Sequence, residues 1–349
     1  MFIHLKIRLE FLIFALHCIP FYLNGQGYEI YHTGSAIDTI TSPMGGICMM
    51  GGRRENDEAM KWFLNRANEG DVVILRASGS DGYNDYFYEN LGIHLNSVTS
   101  IVFKSRDASY NHTIQAIVNN AEAIWMAGGN QWNYVRYWRD SPIDSIINQN
   151  IKNKNIVIGG TSAGMAILGN IYFSASKGTV TSEECLSNPL LESIDVDHTH
   201  FLSIPFLENV ITDTHYDERD RQGRHAVFMA RALKDYGLQV RGIACDEYTA
   251  LCIDRNGIAR AYGNYPEKDD QVYFIQLHPN LRHRIPEQFT ENQAFTWNRL
   301  QAALMVYKLP GSNDGSYFFD LNNWNEGMGG IWQEWRIKEG LLIIDQVER

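Results

Sequence analysis

Residues 156–164 read Ile156-Val157-Ile158-Gly159-Gly160-Thr161-Ser162-Ala163-Gly164. The apolar run predicts a buried strand, and the small residues after it predict a tight turn into a helix. Glycines permit the strained backbone and the close packing that such a turn needs. Because a serine in this turn projects beyond the sheet, and the following helix points free N–H groups toward it, we expect Ser162 to be a nucleophile.

Short apolar runs alternate with helical patterns between residue 45 and this turn. The predicted strands span residues 47–50, 72–75, 98–103, 123–126 and 156–158. Apolar strands that alternate with helices predict an α/β fold, a three-layer α/β/α sandwich around a mainly parallel sheet. Ligands bind beyond the carboxyl ends of such strands, so the glycine- and serine-rich loops after them should share one rim.

A second signal is the run DTHYDERDRQGR at residues 213–224. A strand over 210–215 would bring His215 to the same rim, where an imidazole with a pKa of about 6.5 suits a general base. Arg219, Arg221 and Arg224 offer bidentate recognition of carboxylates. In a helix over 218–234 they would not share one face, so they converge only if Arg219 precedes the regular helix. The alternative is a solvated helix with pairs such as Glu218 and Arg221.

A serine–histidine pair needs a carboxylate that fixes the imidazole tautomer. Glu184, or alternatively Glu183, is our candidate, since both lie between the serine and the histidine in the sequence. We expect backbone N–H groups near Gly129 and Ala163 to form an oxyanion hole. Gln131, in the same loop as Gly129, is expected to orient the substrate.

Composition excludes some partners. The 349 residues carry a net charge of −11, which argues against nucleic acid and anionic membrane surfaces. We expect no metal and no organic cofactor, because His198 and His200 alone are a weak metal pattern. Four cysteines outside the N-terminal segment are expected to be buried free thiols: Cys48, Cys185, Cys245 and Cys252.

The two ends of the chain differ from the middle. Lys6 and Arg8 precede an apolar stretch that is broken at residues 24–27. Residues 1–25 are therefore predicted to be a signal peptide for export to the periplasm or the medium, without membrane attachment after cleavage; the alternative is an irregular extension. Residues 26–265 would form the catalytic domain. Residues 266–349, rich in tryptophan, would form an extension packed on it.

Three motifs together resemble a known family: GGNQ at 128–131, GGTSAG at 159–164, and D-x-H-Y-x-x-R-x-R-x-G-R at 213–224. Over roughly residues 45–255 the chain is similar to the cyanophycinases of the S51 serine peptidases. This resemblance implies a fold like that of the class I glutamine amidotransferases, with Ser162 as nucleophile and His215 as base. It also implies that five residues surround the substrate: Gln131, Asp213, Arg219, Arg221 and Arg224.

The resemblance implies an exo-acting hydrolase of cyanophycin, an aspartate polymer with arginine on each side-chain carboxyl, which releases β-aspartyl-arginine. Three alternatives stay open. One is an α-aspartyl peptidase of the same family. Another is an α/β-hydrolase-type esterase, because residues 160–164 also fit Gly-x-Ser-x-Gly and the order Ser…Glu…His agrees. The third is a binding protein without turnover. A peptide or poly-aspartate substrate is the expected partner, and a homodimer is possible.

Overall fold

The computed structural model describes residues 27–347, so the predicted signal peptide lies outside the described residues. Within this range the strands are β1 (Tyr28–Gly34), β2 (Gly46–Met50), β3 (Asp71–Arg76), β4 (Ser97–Phe103), β5 (Ala123–Met126), β6 (Val157–Thr161), β7 (Tyr172–Phe173), β8 (Val196–Asp197), β9 (Val210–Asp213), β10 (Arg241–Cys245), β11 (Ala250–Ile253), β12 (Ile258–Tyr262), β13 (Gln271–Leu277), β14 (Leu304–Pro310), β15 (Phe318–Asp320), β16 (Gly327–Met328), β17 (Ile331–Lys338) and β18 (Leu341–Val347).

The α-helices in the same part of the chain are α1 (Asp57–Asn65), α2 (His112–Asn120), α3 (Gln131–Trp138), α4 (Pro142–Lys154), α5 (Ala163–Ala166), α6 (Ser182–Ser187) and α7 (Gln222–Tyr236). Polar side chains begin several of them. Asn56, Asn111 and Asn130 each accept a backbone N–H from the first turn of α1, α2 and α3. Such caps satisfy donors that a helix cannot satisfy itself, and they place the helix starts close to the strand ends.

The first sheet has the order β1-β4-β3-β5-β6-β2-β11-β12-β15-β16. Its centre, from β4 to β2, is parallel, and the outer strands are antiparallel. Ile47 and Met49 of β2 belong to one core cluster, and Cys48 and Met50 to another on the opposite face. Helix α1 packs on the second face, while α3 and α4 pack on the first. The predicted three-layer α/β fold is therefore confirmed.

The second sheet has the order β18-β17-β14-β13-β10-β9. Here β9 and β10 are parallel, and Asp213 pairs with Ala244. This sheet and α7 enclose a separate apolar cluster that includes Ile211, Phe228 and Trp335. Two strands that start far apart in the sequence thus end side by side, directly before the segments that carry His215 and Glu247.

Residues 266–347 do not stand apart from the preceding residues. Strand β13 pairs with β10, and β15 pairs with β12, so this segment adds strands to both large sheets. Strand β17 alternates in burial: Gln333, Trp335 and Ile337 are buried, and the residues between them are only partly buried. Trp297 and Trp335 are fully buried. The segment that we expected to be an extension supplies part of the core.

Two further observations concern residues 27–347. Cys48, Cys185, Cys245 and Cys252 are free and buried, as predicted. None of the helices in this range combines the length and the apolar character that crossing a bilayer requires.

Candidate active site

The serine turn joins β6 to α5. Ser162 has φ 51° and ψ −116°, a strained conformation for a residue with a side chain. Its N–H donates to Met50 O of the neighbouring strand at 3.0 Å. A Cβ on Gly164 would lie 2.0 Å from Met126 O, so only glycine fits where α5 crosses the end of β5. The small residues of the turn are required by packing, and the turn fixes the Ser162 hydroxyl at the rim.

Ser162, His215 and Glu247 form a hydrogen-bonded chain. Ser162 Oγ lies 2.8 Å from His215 Nε2, and His215 Nδ1 lies 2.6 Å from Glu247 Oε1. The imidazole is close to the backbone of Gly52, where a Cβ would lie 2.3 Å from the ring. Gly52 has φ 129°, which also favours glycine. This geometry can transfer a proton from the serine to a histidine whose orientation a carboxylate holds.

The prediction that Glu184 or Glu183 completes this chain is wrong. Glu184 accepts the N–H of Thr181 at 2.8 Å in a capping box that begins α6. Glu183 lies exposed in the first turn of the same helix. Glu247 was missed because it follows the histidine in the sequence. The signal that could have found it is the acidic pair at 246–247, directly after an apolar strand.

Burial and charge keep the His215 imidazole neutral. Burial lowers its pKa, and the positive charges of Arg219 and Arg221 lower it further, while the hydrogen bond to Glu247 acts in the opposite direction. Burial alone would raise the pKa of Glu247, but hydrogen bonds from His215 and Arg53 lower it below its usual value. At neutral pH the pair is therefore a neutral base beside a carboxylate, which is the state that can accept the serine proton.

Next to Ser162 lies an open cleft of about 300 Å³. Its lining includes Arg219, Arg221 and Arg224, and no acidic side chain is among its described lining residues. Helix α7 starts at Gln222 rather than at 218, so Arg219 and Arg221 precede it and can face the cleft together with Arg224. All three arginines thus line one cleft, and their contact with a substrate stays a prediction.

Asp213 does not line the cleft; it lies behind the arginines. Its carboxylate accepts from Arg224 Nε at 2.8 Å and Arg224 Nη2 at 2.6 Å. Arg221 Nη1 lies 3.3 Å from Asp213 Oδ1 and donates to Thr214 O at 2.7 Å. Burial would raise the pKa of Asp213, but the two guanidinium groups lower it to about 2. Asp213 therefore positions arginines, whereas Arg219, exposed and without a hydrogen bond or ion pair among residues 27–347, is free to bind a ligand.

Glu218 does not form the pair with Arg221 that the solvated-helix alternative predicts. Its carboxylate accepts the backbone N–H of Glu247 at 3.0 and 3.1 Å. The expected pair between Glu218 and Arg221 is thus replaced by a link between the arginine-bearing segment and the segment of the triad acid.

The loop between β5 and α3 forms the other wall of the cleft. Gly129, Gln131 and Ala163 line the cleft beside Ser162. Among residues 27–347, neither the Gly129 N–H nor the Ala163 N–H donates to another backbone group outside the helix and strand ladders. Their role as an oxyanion hole stays a prediction. The side-chain amide of Gln131 donates to Phe173 O, and this bond fixes its orientation at the cleft.

No group of three metal-ligating side chains occurs among the described residues. His198, one of the two histidines considered as a weak metal pattern, stacks on Tyr236 with ring centroids 4.2 Å apart.

Comparisons with known proteins agree with the geometry. The model of the family described as Peptidase family S51 matches residues 45–260, more than half of the chain. A cyanophycinase of Trichormus variabilis is 25% identical over 213 residues, which are 59% of this chain and 65% of that protein. A cyanophycinase of Geminocystis herdmanii is 28% identical over 149 residues, or 43% of this chain and 49% of that protein. The chain thus matches less than two thirds of the length of these relatives.

One solved structure similar to this chain is described as a peptidase from an acI-B1 Actinobacterium. It is 16% identical, with a TM-score of 0.48, and the match covers 66% of this chain and 91% of that one.

Proposed function

This chain belongs to peptidase family S51 and is a serine-type peptidase, and we propose that it hydrolyses amide or isopeptide bonds in aspartate-containing substrates that present a free carboxylate. The observation that carries the proposal is the Ser162–His215–Glu247 chain at the edge of an arginine-lined cleft. The first feature supports acyl transfer, and the second supports an acidic substrate.

The reaction follows from the positions of the groups. Ser162 Oγ attacks the scissile carbonyl while His215 Nε2 takes the serine proton. The N–H groups of Gly129 and Ala163 stabilise the oxyanion of the tetrahedral intermediate. His215 returns the proton to the leaving amine as the carbon–nitrogen bond breaks, which leaves an acyl-enzyme. Water, deprotonated by His215, then attacks the ester and releases the acid and Ser162. Glu247 stays ionised throughout and stabilises the imidazolium.

The charges at the cleft support the proposed class of substrate. Three guanidinium groups meet at the cleft, and among its described neighbours only Asp213 compensates them. A ligand carboxylate would restore the balance, and arginine binds carboxylates through two parallel hydrogen bonds. We propose Arg219 as the direct contact, with Arg221, Arg224 and Gln131 shaping the site around it.

Cyanophycin is the best candidate polymer, since the curated relatives above are cyanophycinases. In each β-aspartyl-arginine unit of that polymer the free carboxylate is the α-carboxylate of arginine, because both carboxyls of an internal aspartate are in amide bonds. This arginine carboxylate would supply the negative charge that the cleft requires. We also propose that the protein acts outside the cytoplasm. Lys6, Arg8 and the apolar stretch after them support this proposal.

The structure argues against two of the alternative functions, an α/β-hydrolase-type esterase and a binding protein without turnover. In α/β-hydrolases the acid precedes the histidine in the sequence, whereas Glu247 follows His215. A binding protein without turnover would not need the hydrogen-bonded chain to be intact.

The test is a panel of substrates with the mature protein: cyanophycin, a β-aspartyl dipeptide, an α-aspartyl dipeptide and a small ester. Each reaction is followed by mass spectrometry of the products. We expect β-aspartyl-arginine from cyanophycin. Turnover of the α-aspartyl dipeptide alone would replace the cyanophycin assignment with an α-aspartyl peptidase. Turnover of a small ester and no peptide would reject the proposed function.

A further inference from the structure

The carboxylate of Glu247 has a second cationic neighbour besides the histidine. His215 Nδ1 lies 2.6 Å from Oε1, and Arg53 Nε donates to Oε2 at 2.7 Å. We propose that Arg53 is a positioning residue of this peptidase, which holds Glu247 against His215 and sets the pH at which His215 becomes a base. This inference rests on the proposed function, since it assumes that His215 acts on Ser162.

The backbone around Arg53 is built into the site. Residues 51–53 follow β2 and lie between the histidine segment and the acid segment. Gly51 O accepts the N–H of His215 at 2.9 Å, and Gly52 O accepts the N–H of Tyr248 at 3.1 Å. Arg53 itself has φ 68°, a left-handed conformation that turns the chain back toward Glu247. Gly51 and Gly52 thus contact His215, and Arg53 contacts Glu247. Only Arg53 among these three residues is charged.

Glu247 is held from two directions. Arg53 binds the side-chain carboxylate, while Glu218 accepts the main-chain N–H at 3.0 and 3.1 Å. The Glu247 side chain is 6% exposed and that of Arg53 is 61% exposed. The carboxylate is therefore buried with one face open toward the arginine, and the arginine lies where a substitution leaves the core intact.

The charges around the pair determine the direction of the effect. The groups that face His215 and Glu247 are Arg219 and Arg221 beyond the imidazole, Glu218 beside the Glu247 main chain, the Tyr248 hydroxyl, and Arg53 on the carboxylate. Of these, Arg53 alone contacts the carboxylate that stabilises the imidazolium. Without its charge, the Glu247 anion is less compensated and stabilises a protonated His215 more strongly. The pKa of His215 should therefore rise when Arg53 is neutralised.

The test uses the reaction of Ser162 with a fluorophosphonate, which needs neutral His215 and no peptide substrate. The inactivation rate is measured from pH 4 to about pH 9 for the wild type, Arg53→Gln, Arg53→Lys and Arg54→Gln. Arg53→Gln should move the acid limb to higher pH by about 0.5 unit, a modest shift because the guanidinium is exposed to solvent. Arg53→Lys keeps the charge and should stay close to the wild type. Arg54→Gln removes a neighbouring exposed charge and should superimpose on the wild type.

The outcomes separate the inference from the proposed function. If the wild type is not labelled at Ser162, the proposed function fails. If the wild type is labelled with an acid limb but Arg53→Gln has the same limb, the inference is wrong. A lower rate at an unchanged limb would also overturn it, because that result indicates a merely structural role. Arg53→Ala, read in the same way, replaces Arg53→Gln if the latter unfolds, and circular dichroism checks the fold of each variant.

Discussion

The two sides of the His215 ring carry opposite excesses of charge. On the substrate side, defined by Arg219, Arg221 and Arg224, three cations face the cleft, and Asp213 lies behind them. On the acid side, defined by Glu247, Glu218 and Arg53, two carboxylates meet one exposed guanidinium. In our proposal a ligand carboxylate completes the substrate side, whereas the acid side needs no ligand. Ligand recognition and proton transfer are thus assigned to different faces of one histidine.

The same contrast appears in how the charged groups are held. Arg224 and Asp213 are both buried and form two hydrogen bonds with each other, which makes them part of the core. Arg219 is exposed and free of such contacts among the described residues. A substitution at Arg224 should therefore act on folding as well as binding, and a substitution at Arg219 should act on binding and on the pKa of His215 without destabilising the fold.

The largest expected effect lies on the acid side. Glu247→Gln should lower kcat by about 10²- to 10⁴-fold, because the imidazolium loses its anionic partner and the tautomer is no longer fixed. Glu184→Gln is the matched control, since its carboxylate caps α6 and is expected to leave kcat unchanged. Steady-state kinetics of both variants test which glutamate belongs to the triad. An equal loss of kcat in Glu184→Gln would contradict the assignment of Glu247.

Arg224→Ala should destabilise the fold by about 3–5 kcal/mol, because it leaves the buried Asp213 carboxylate without its bidentate partner. Denaturant unfolding measures this loss. Because the pKa of Asp213 is lowered to about 2, its contribution to stability is present above about pH 4 and is lost as the pH falls toward 2. Arg224→Ala should lack this part of the pH dependence. An unfolding free energy equal to that of the wild type at pH 7 would show that the Arg224–Asp213 pair does not stabilise the fold.

Arg219→Ala should raise KM for aspartyl substrates by about 10- to 100-fold, the loss of one charged hydrogen-bonding contact. Its unfolding midpoint should not change. Comparison of KM with kcat tests this prediction. A fall in kcat at constant KM would indicate that Arg219 contributes to catalysis rather than to binding. No change in either constant would indicate that Arg219 has no role in the reaction.

The smallest expected effect is a displacement of the pH profile. Since burial and the nearby arginines lower the pKa of His215, the acid limb of kcat/KM should have its midpoint below about 6.5, the ordinary value for histidine. Arg219→Ala should move this midpoint upward by a few tenths of a pH unit, because it removes one of the charges that oppose protonation. An acid limb above pH 7 in the wild type would contradict the electrostatic description of the site.

The sequence alone predicts more of the first sheet than of the second. The strand pattern around Ser162 predicts the parallel sheet and its rim, because buried strands and glycine-rich turns are local signals. The run at 213–224 likewise predicts the arginine cluster, apart from the start of α7. Glu247 could not be predicted in this way, because its place beside His215 depends on the parallel pairing of β9 with β10, a contact distant in sequence.

Two other differences between the predictions and the structure also arise from contacts between segments that are distant in sequence. Asp213 was expected to contact the substrate, but its burial behind Arg224 follows from the packing of α7 against β9. The strands after residue 266 alternate only weakly in polarity, and their partners β10 and β12 lie earlier in the chain. Long-range pairing, rather than local propensity, determines these parts of the fold.

The central claim is that Ser162 is activated through His215 and Glu247. Its most direct test is the site and rate of fluorophosphonate labelling, mapped by peptide mass spectrometry in the wild type, His215→Ala and Glu247→Gln. We expect one adduct, on Ser162, whose rate of formation falls sharply in His215→Ala and to a smaller extent in Glu247→Gln. An adduct on another residue, or an undiminished rate at Ser162 in His215→Ala, would contradict it.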